Sequence, residues 1–363
     1  MKVLALNSSA RTGDVSKTEI MVDHLAMGMR EAGAEVEIIN LKKVKIKYCT
    51  GCFTCWTKTP GACIHHDDMT NDIYPKFVKC DLCVLATPLY HYTVNAQMKA
   101  FIERTLPTNQ PFFVECGGVT GHPDRFELPS MVVLSVAGFP ELSVFDQLRS
   151  YVNFLYRDRL VAEIYRPSAE GLKVPTNDPG INDILEATIQ GGRELATSKK
   201  VSPETLNRIQ KETNNFEDFT LLGNLAWKTC IAEGVTMGEF QKKEMTPRPD
   251  SVETFLILMK HGFNAEKALD AKVKIQFNFT GQIEGTCFFD IKNGTINASP
   301  GVLENSDLTI DSPFEIWMDI LTRKVDGAEM FMQGKYSVEG NIELLMNMHR
   351  FFGKNSGNVE LTT

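Results

Sequence analysis

The sequence predicts an α/β protein in which a doubly wound, five-stranded parallel sheet is followed by a helical connector and an α+β domain. In the first half of the chain, short apolar runs alternate with amphipathic helical segments, which is the pattern of a parallel sheet covered on both faces. Beyond residue 165 this alternation ends. From residue 273, apolar and polar residues alternate one by one, the period of a half-buried strand.

The apolar runs place the five strands of the first sheet and the helices between them. Strands are predicted over 2–7, 35–41, 82–87, 131–137 and 160–165, and helices over 96–104 and 142–156. A further helix is expected between the first two strands, because Ser16 and Glu19 have the spacing of a capping box. Gly33 supplies its stop signal.

The loop after the first strand is the first candidate site. In a doubly wound sheet, ligands bind beyond the carboxyl ends of the strands where strand order reverses, here beyond strands one and three. Hydroxyl groups, cations and the free N–H groups of a helix start suit a phosphate dianion. Such strings are usually polar turns with a helix cap. We favour a phosphate site because Ser9, Arg11, Lys17 and Thr18 crowd the one place where this topology binds anions.

Two more loops are expected at the same rim. The loop after strand three reads Thr87-Pro88-Leu89-Tyr90-His91-Tyr92, and the loop after strand four reads Ala137-Gly138-Phe139-Pro140. Their aromatic and backbone groups could hold a planar ring. The alternative is that Tyr90 and Phe139 only plug the top of the sheet.

Four cysteines, Cys49, Cys52, Cys55 and Cys63, are spaced C-x2-C-x2-C-x7-C. A compact loop of this kind can wrap one [4Fe–4S] cluster. Four thiolates also suit zinc, and thiols without metal are a third alternative, because spacing alone does not choose the metal. His65 and His66 are expected at the surface, and Asp67 and Asp68 are expected to cap a helix that begins near Met69.

Two other features of the first half lie outside these motifs. Cys80 and Cys83 also form a C-x-x-C pair, but Cys83 falls in a predicted strand, so we expect core thiols. A segment over 106–129 is rich in Pro, Gly and Thr, and a loop of that length inside a domain is usually functional.

Over residues 1 to about 200, these motifs resemble the flavodoxin-like family of NAD(P)H-dependent FMN reductases, and within it the iron–sulfur flavoproteins. The motifs that carry the resemblance are Asn7-Ser8-Ser9-Ala10-Arg11, the four cysteines with Asp67-Asp68-Met69, and Thr87-Pro88-Leu89-Tyr90 with Gln97, Lys99 and Arg104. Ala10 stands where many members carry proline.

The resemblance implies a bound FMN whose phosphate contacts Ser9, Arg11, Ser16, Lys17 and Thr18. It also implies an isoalloxazine ring beside the two rim loops, at Pro88, Leu89, Tyr90, His91, Ala137 and Gly138. NAD(P)H would donate hydride to the flavin. No side chain is assigned as a catalytic acid or base, because the flavin carries the chemistry.

The last third of the chain resembles the sterol-carrier-protein type of lipid-binding domain over nearly its full length. The matching pieces are Ile275-Gln276-Phe277 to Thr280-Gly281, Asp290-Ile291 to Gly294, Asp307-Leu308-Thr309-Ile310, and Gly334-Lys335 with Val338-Glu339-Gly340-Asn341. The family encloses an apolar tunnel, for which the candidate lining residues are Phe277, Phe279, Phe288, Trp317, Phe331 and Met332. The alternative is a filled core, since any α+β domain must bury such residues.

The predicted domains are 1–200, the FMN-binding reductase; 201–249, a helical connector and linker; and 250–363, the sterol-carrier-like domain. A net charge of −8 argues against a nucleic-acid partner. No apolar run approaches the roughly 20 residues that cross a bilayer. Nine cysteines without an export signal indicate reduced thiols and a cytoplasmic location.

The function predicted from these motifs is that of an FMN-dependent oxidoreductase. It would pass electrons from NAD(P)H to a quinone-like, aromatic or lipid-like acceptor, through an iron–sulfur cluster if the cysteines hold one. The alternative is a non-enzymatic electron-transfer flavoprotein or a lipid-binding carrier. By analogy with flavodoxin-like reductases, a homo-oligomer is expected.

Overall fold

The computed structural model describes residues 1–13, 16–172, 178–212 and 216–352. The chain divides into two compact units, Met1–Asn215 and Phe216–Thr363. Residues of the predicted connector, 201–249, therefore fall in both units. The predicted domain boundaries stay a prediction.

The first unit alternates strands and helices. In chain order its elements are β1 (Lys2–Asn7), α1 (Lys17–Glu31), β2 (Glu35–Asn40), a π-helical turn (Met69–Ile73), α2 (Tyr74–Phe77), β3 (Leu82–Pro88), α3 (Ala96–Glu103), β4 (Val114–Cys116), β5 (Val119–Gly121), β6 (Ser130–Val136), α4 (Asp146–Tyr156), β7 (Leu160–Arg166), α5 (Pro179–Ser198) and α6 (Pro203–Ile209). The five long strands form one parallel sheet in the order β2-β1-β3-β6-β7. The predicted flavodoxin-like fold is confirmed.

The segment over 106–129 is not a structureless loop. A short antiparallel hairpin, β4–β5, forms within it and pairs Val114 with Gly121. The sequence pattern did not predict this hairpin, because three-residue strands are too short for periodicity to reveal.

The central strands are mostly apolar and are buried along nearly their whole length, because both faces of the sheet are covered. One face packs against α1 and α5 and includes Val3, Val84 and Leu134. The other face carries Leu4, Leu85 and residues of α3 and α4.

The start of α1 follows the prediction in part. Ser16 accepts a hydrogen bond from the Glu19 N–H at 3.2 Å, as a helix cap does. The Glu19 carboxylate, however, accepts from the Gly13 N–H at 2.9 Å. The Ser16 N–H donates to the Gly13 carbonyl, also at 2.9 Å. In a complete capping box the Glu19 side chain would accept from the Ser16 N–H. Here the Gly13 carbonyl of the preceding loop accepts from that N–H instead.

The second unit combines helices with an antiparallel sheet. Its elements are α7 (Phe216–Glu233), α8 (Met237–Lys242), α9 (Val252–His261), β8 (Lys272–Thr280), β9 (Gly285–Lys292), β10 (Thr295–Pro300), β11 (Leu308–Pro313), α10 (Phe314–Leu321), α11 (Gly327–Met332), β12 (Ser337–Gly340) and α12 (Ile342–Met346). The sheet order is β10-β9-β8-β11-β12, and only the β8–β11 pair is parallel. The predicted α+β class is confirmed.

Turn chemistry set the register of the β9–β10 hairpin. Asn293 and Gly294 both have positive φ angles, of 51° and 76°, which the tightest hairpin turns require. The last helix that the structure describes is short. It is α12 alone, followed by a 3-10 turn, Met348–Arg350.

The core of the second unit is aromatic. The Phe277 ring lies 5.1 Å from Trp317, 5.3 Å from Phe255 and 5.7 Å from Phe289, measured between ring centroids. Edge-to-face contacts of this kind add to the hydrophobic gain from burial. In the described ranges, no helix is long and apolar enough to span a bilayer.

Two glycines let α1 and α5 cross at backbone contact. A Cβ atom on Gly192 would lie 2.1 Å from the Leu25 carbonyl oxygen, and one on Gly28 would lie 1.8 Å from the Ile189 oxygen. At the neighbouring Gly191, a Cβ would meet only side-chain atoms, at 3.6 Å or more.

We expect Gly192→Ala to lower the free energy of unfolding of the first unit by about 1–3 kcal/mol or more, because the two helix backbones must separate. Chemical denaturation followed by circular dichroism measures the change. Gly191→Ala is the matched control, since it adds the same methyl group one residue away and is expected to be neutral or stabilising by up to about 1 kcal/mol. Equal effects of the two substitutions would contradict the close approach.

Candidate functional site

The loops that follow β1, β3 and β6 meet at one edge of the parallel sheet. The Ser8 N–H donates to the Ala86 carbonyl at 2.9 Å, and the Asn95 side-chain amide donates to the Ser8 carbonyl at 2.6 Å. The Leu89 N–H donates to the Val136 carbonyl at 2.9 Å. These bonds join the three loops into a single rim at the carboxyl ends of the strands.

The loop after β1 is held against the start of α1 by hydroxyl groups. Ser9 Oγ accepts from Ser16 Oγ at 2.7 Å and from the Arg11 N–H at 3.2 Å. Ser9, Ser16 and Thr18 are all buried. The first N–H groups of a helix have no partner inside the helix, so this rim presents both hydroxyls and helix-start donors.

The two cations of the phosphate prediction contact the segment after β7. Arg11 Nη1 lies 3.7 Å from Glu170 Oε1, and Lys17 Nζ donates to the Leu172 carbonyl at 2.6 Å. The sequence prediction did not include Glu170 or Leu172. No local signal identified them, because they are brought to the rim by the course of the chain after the last strand of the sheet.

The two loops expected to hold a planar ring line the same rim. Tyr90 and Thr93 exchange backbone hydrogen bonds at 3.0 and 3.1 Å, and between them His91 and Tyr92 have positive φ angles. This tight turn leaves Tyr90 48% exposed. Pro88 and Leu89 are half-buried.

The loop after β6 is fixed by backbone bonds to the segment after β7. The Ala137 N–H donates to the Arg166 carbonyl at 3.0 Å, and the Ala169 N–H donates to the Ala137 carbonyl at 2.8 Å. A Cβ on Gly138 would lie 3.6 Å from Glu170 Cγ. Phe139 is 55% exposed, so neither it nor Tyr90 is a buried plug of the sheet.

The four cysteines of the motif line one cavity. Its empty volume is about 330 Å³, a figure that includes space open to solvent, and its walls also include His65, Glu103 and Arg104. Cys55 is buried, Cys52 is exposed, and Cys49 and Cys63 are intermediate. His65, which was expected at the surface, thus contributes to the cavity wall.

The thiols face one another closely enough to interact electrostatically. Burial raises the pKa of Cys55, and negative charge on Cys63, Cys49 and Cys52 raises it further. The pKa of Cys52 is lowered, chiefly by a hydrogen bond from the Thr54 side chain. Within the described part of the chain, no group of three or more His, Cys, Asp or Glu side chains could hold a metal ion as placed.

A buried ion pair forms one wall of this region. Arg104 binds Asp67 through two parallel hydrogen bonds, of 2.7 and 3.0 Å, and both side chains are almost completely buried. Burial works against ionisation of Asp67, yet hydrogen bonds from Arg104 and from the N–H groups of Lys47 and Thr70 hold its pKa well below the usual range. Asp67 therefore remains charged.

Asp67 contributes to the helix cap as predicted, but its main partner was not foreseen. Its Oδ1 accepts from the Thr70 N–H at 3.1 Å. Asp68 does not cap the π-helical turn and instead accepts from the Lys45 N–H at 2.6 Å. Sequence reasoning reached Arg104 only through family resemblance and assigned it no contact.

The hairpin segment packs beside the cysteine loop. The Trp56 ring lies 4.6 Å from His122, and a Cβ on Gly61 would lie 3.1 Å from the Arg125 side chain.

Tyr74, whose hydroxyl is buried without a hydrogen-bond partner, has a pKa raised to about 12 by burial. Cys80 and Cys83 lie outside the cavity lining, and Cys83 is buried in the core, as predicted.

The tunnel candidates of the second unit do not form one group. Phe277, Phe279 and Trp317 pack together in the aromatic core. Phe288 pairs across the sheet with Gln276, so it lies on the face opposite Phe277. Phe331 and Met332 are 39% and 83% exposed.

Comparison with known families agrees with the two units. Residues 1–122 match the family model described as NADPH-dependent FMN reductase, and residues 259–353 match the SCP-2 sterol transfer family. The predicted fusion of a reductase segment with a sterol-carrier segment is confirmed.

Curated relatives match the first part of the chain. An iron-sulfur flavoprotein of Archaeoglobus fulgidus is 40% identical over 102 residues, which cover 28% of this chain and 44% of the relative. One from Methanocaldococcus jannaschii is 33% identical over 104 residues, which cover 29% of this chain and 50% of the relative. The chain thus spans about half the length of these relatives.

An FMN-dependent NADH:quinone oxidoreductase of Pseudomonas aeruginosa is similar over a longer stretch. It is 26% identical over 146 residues, which cover 38% of this chain and 70% of the relative.

Proposed function

We propose that the first unit is an FMN-dependent oxidoreductase that takes electrons from NAD(P)H and passes them to a quinone-like or aromatic acceptor. The observation that carries this proposal is the single rim formed by the loops after β1, β3 and β6, of which the first two lie in the segment 1–122 that matches the FMN reductase family. The quinone-like acceptor follows from the similarity to an NADH:quinone oxidoreductase. A lipid-like acceptor supplied through the second unit is an extension of the same proposal.

The residues at the rim fit FMN by their chemistry. Ser9 and Ser16 hydroxyls, the N–H groups at the start of α1, Thr18 and the cations Arg11 and Lys17 form a donor set for a phosphate dianion. In this proposal Arg11 and Lys17 would exchange their contacts with Glu170 and Leu172 for the phosphate oxygens. Pro88, Leu89, Tyr90, His91, Ala137 and Gly138 would border the ring.

FMN, when bound, would accept hydride from a two-electron donor and pass the electrons on to an acceptor. The chain's own groups orient the cofactor and limit access. The half-exposed Tyr90 and Phe139 stand at the rim, where a nicotinamide and then an acceptor would stack in turn on the open face of the ring. No side chain needs to act as an acid or base for hydride transfer.

We further propose that Cys49, Cys52, Cys55 and Cys63 hold a [4Fe–4S] cluster. The donor set fits, because four thiols converge on one cavity and each would stabilise positive charge placed among them. A cubane is larger than a single ion, so its ligands stand farther apart than the ligands of one metal ion. The similarity to iron-sulfur flavoproteins supports the cluster over zinc or free thiols.

For the second unit we propose binding of a fatty-acyl or sterol-like molecule. The match to the SCP-2 sterol transfer family supports it. Phe277, Phe279 and Trp317 form the apolar surface against which such a ligand would pack, with Phe331 at its margin through Tyr336. Phe288 lies on the opposite face of the sheet and Met332 is exposed to solvent, so these two are the weakest of the lining candidates.

A cytoplasmic location and a homo-oligomer stay predictions.

We expect the chain to bind FMN saturably and the bound flavin to be bleached by NADH or NADPH under anaerobic conditions. Ser9→Glu should weaken FMN affinity at least about tenfold, because a carboxylate would face the phosphate. Flavin fluorescence measures binding, and absorbance measures bleaching. Ser150→Glu, at an exposed position of α4, is the control. Bleaching only by dithionite would favour a non-enzymatic electron carrier, and a chain that binds no FMN would refute the reductase.

We expect anaerobic treatment with iron and sulfide to give four of each per wild-type chain, the content of a [4Fe–4S] cluster. Cys63→Ser should lose most of this iron, because one of four ligands is removed. Cys80→Ser, outside the cavity, should keep it. Iron and sulfide analysis together with absorbance gives the answer. A wild-type chain that takes up neither element would leave metal-free thiols as the better description.

We expect a fluorescent fatty acid to bind the full chain and to accept energy from excited tryptophan. Trp317→Phe should remove more of that energy transfer than Trp227→Phe, because Trp317 is buried in the aromatic core while Trp227 is 55% exposed. Absence of saturable transfer in the wild type would contradict lipid binding by this unit.

A further inference from the structure

Arg104 uses four of its five N–H donors in hydrogen bonds to Lys47, Asp67 and Thr70. Nη1 donates to Asp67 Oδ2 and to the Lys47 carbonyl, both at 2.7 Å. Nη2 donates to Asp67 Oδ1 at 3.0 Å and to Thr70 Oγ1 at 2.8 Å. The Nε–H is buried without a hydrogen-bond partner. Arg104 also lines the cavity together with the four cysteines.

These contacts fasten both ends of the cysteine segment to one side chain. Lys47 precedes Cys49 by two residues, and Asp67 follows Cys63 by four residues. Arg104 itself is the residue that ends α3, so the segment is tied to a helix packed in the core of the sheet. A guanidinium is suited to this task because its donors are held in a rigid plane.

The buried cation also acts on the cysteines electrostatically. The Arg104 side chain is almost completely buried, and it lines the same cavity as Cys63. A buried positive charge, on a side chain with one N–H that makes no hydrogen bond, therefore lies in the wall of the cavity that a proposed cluster ligand also lines. An unsatisfied buried donor is costly unless something accepts from it, and a cluster-bound thiolate sulfur is a suitable acceptor.

We infer that Arg104 is a positioning residue of the proposed iron–sulfur site: it closes the cysteine segment at both ends and places a buried positive charge beside Cys63. This inference rests on the proposed [4Fe–4S] cluster. Asp67 has the opposite electrostatic effect, since its carboxylate partly neutralises the same guanidinium.

The two residues therefore make opposite contributions to the reduction potential of the cluster. Reduction adds one electron, and hence one negative charge, at the site. A nearby cation or N–H donor stabilises the reduced form and raises the potential, whereas a nearby carboxylate lowers it. A purely structural role for the pair would not produce shifts of opposite sign.

The test is a potentiometric titration of the anaerobically reconstituted full chain with dithionite, followed by electron paramagnetic resonance. Arg104→Met should shift the midpoint potential to a more negative value, and Asp67→Asn should shift it to a more positive value. Lys58→Met is the control, because Lys58 belongs to the same cysteine segment but its charge is exposed and screened by solvent. It should leave the potential nearly unchanged.

The outcomes separate this inference from the cluster proposal. A wild-type chain that assembles no cluster overturns both. A wild-type cluster with equal potentials in Arg104→Met and Lys58→Met overturns the inference alone, as do shifts of the same sign in Arg104→Met and Asp67→Asn. If Arg104→Met does not fold or does not hold iron, the midpoint potential of Asp67→Asn decides the question. A more positive potential in Asp67→Asn than in the wild type supports the inference, and an unchanged or more negative one overturns it.

Discussion

The reversal of strand order between β1 and β3 is the constraint on which the first unit depends. The chain leaves β1 towards β2 on one side and reaches β3 on the other, so the loops after these strands diverge and leave a crevice between them. Short polar contacts bridge it, from the Ser8 N–H to the Ala86 carbonyl and from the Asn95 side-chain amide to the Ser8 carbonyl. Three of the four groups in these two hydrogen bonds belong to the backbone, and the fourth is the Asn95 side-chain amide.

Helix α3 connects the two sites of the first unit. Asn95 caps its start and contacts the loop after β1, whereas Arg104 ends it and contacts Asp67. Eight residues of α-helix span about 12 Å. The rim and the cysteine cavity therefore lie at the two ends of one helix, whose residues Met98 and Phe101 are buried in the core.

In the second unit the predicted fold class is correct, but the residues named as tunnel lining differ in where they lie. Inward positions on β8 were correctly read from alternation, and Phe277 and Phe279 lie in the core. The same alternation places Phe288 on the other face, since its neighbours Cys287 and Phe289 point inward. Phe331 and Met332 lie on the short helix α11, and both side chains are exposed. The spacing of apolar residues in the sequence does not show which of them a short helix buries.

Local sequence patterns were enough to predict the fold class of both units, the five strands of the parallel sheet, the cap of α1 and the convergence expected of the cysteine motif. Each of these depends on residues close together in the chain, where hydrophobic period and turn chemistry act directly. Tertiary structure alone decided that Arg104 binds Asp67, that Lys17 contacts Leu172, and that Gly28 and Gly192 meet Ile189 and Leu25. Those contacts join residues 37 to 167 positions apart, and their geometry follows from how complete elements pack, which no local pattern encodes.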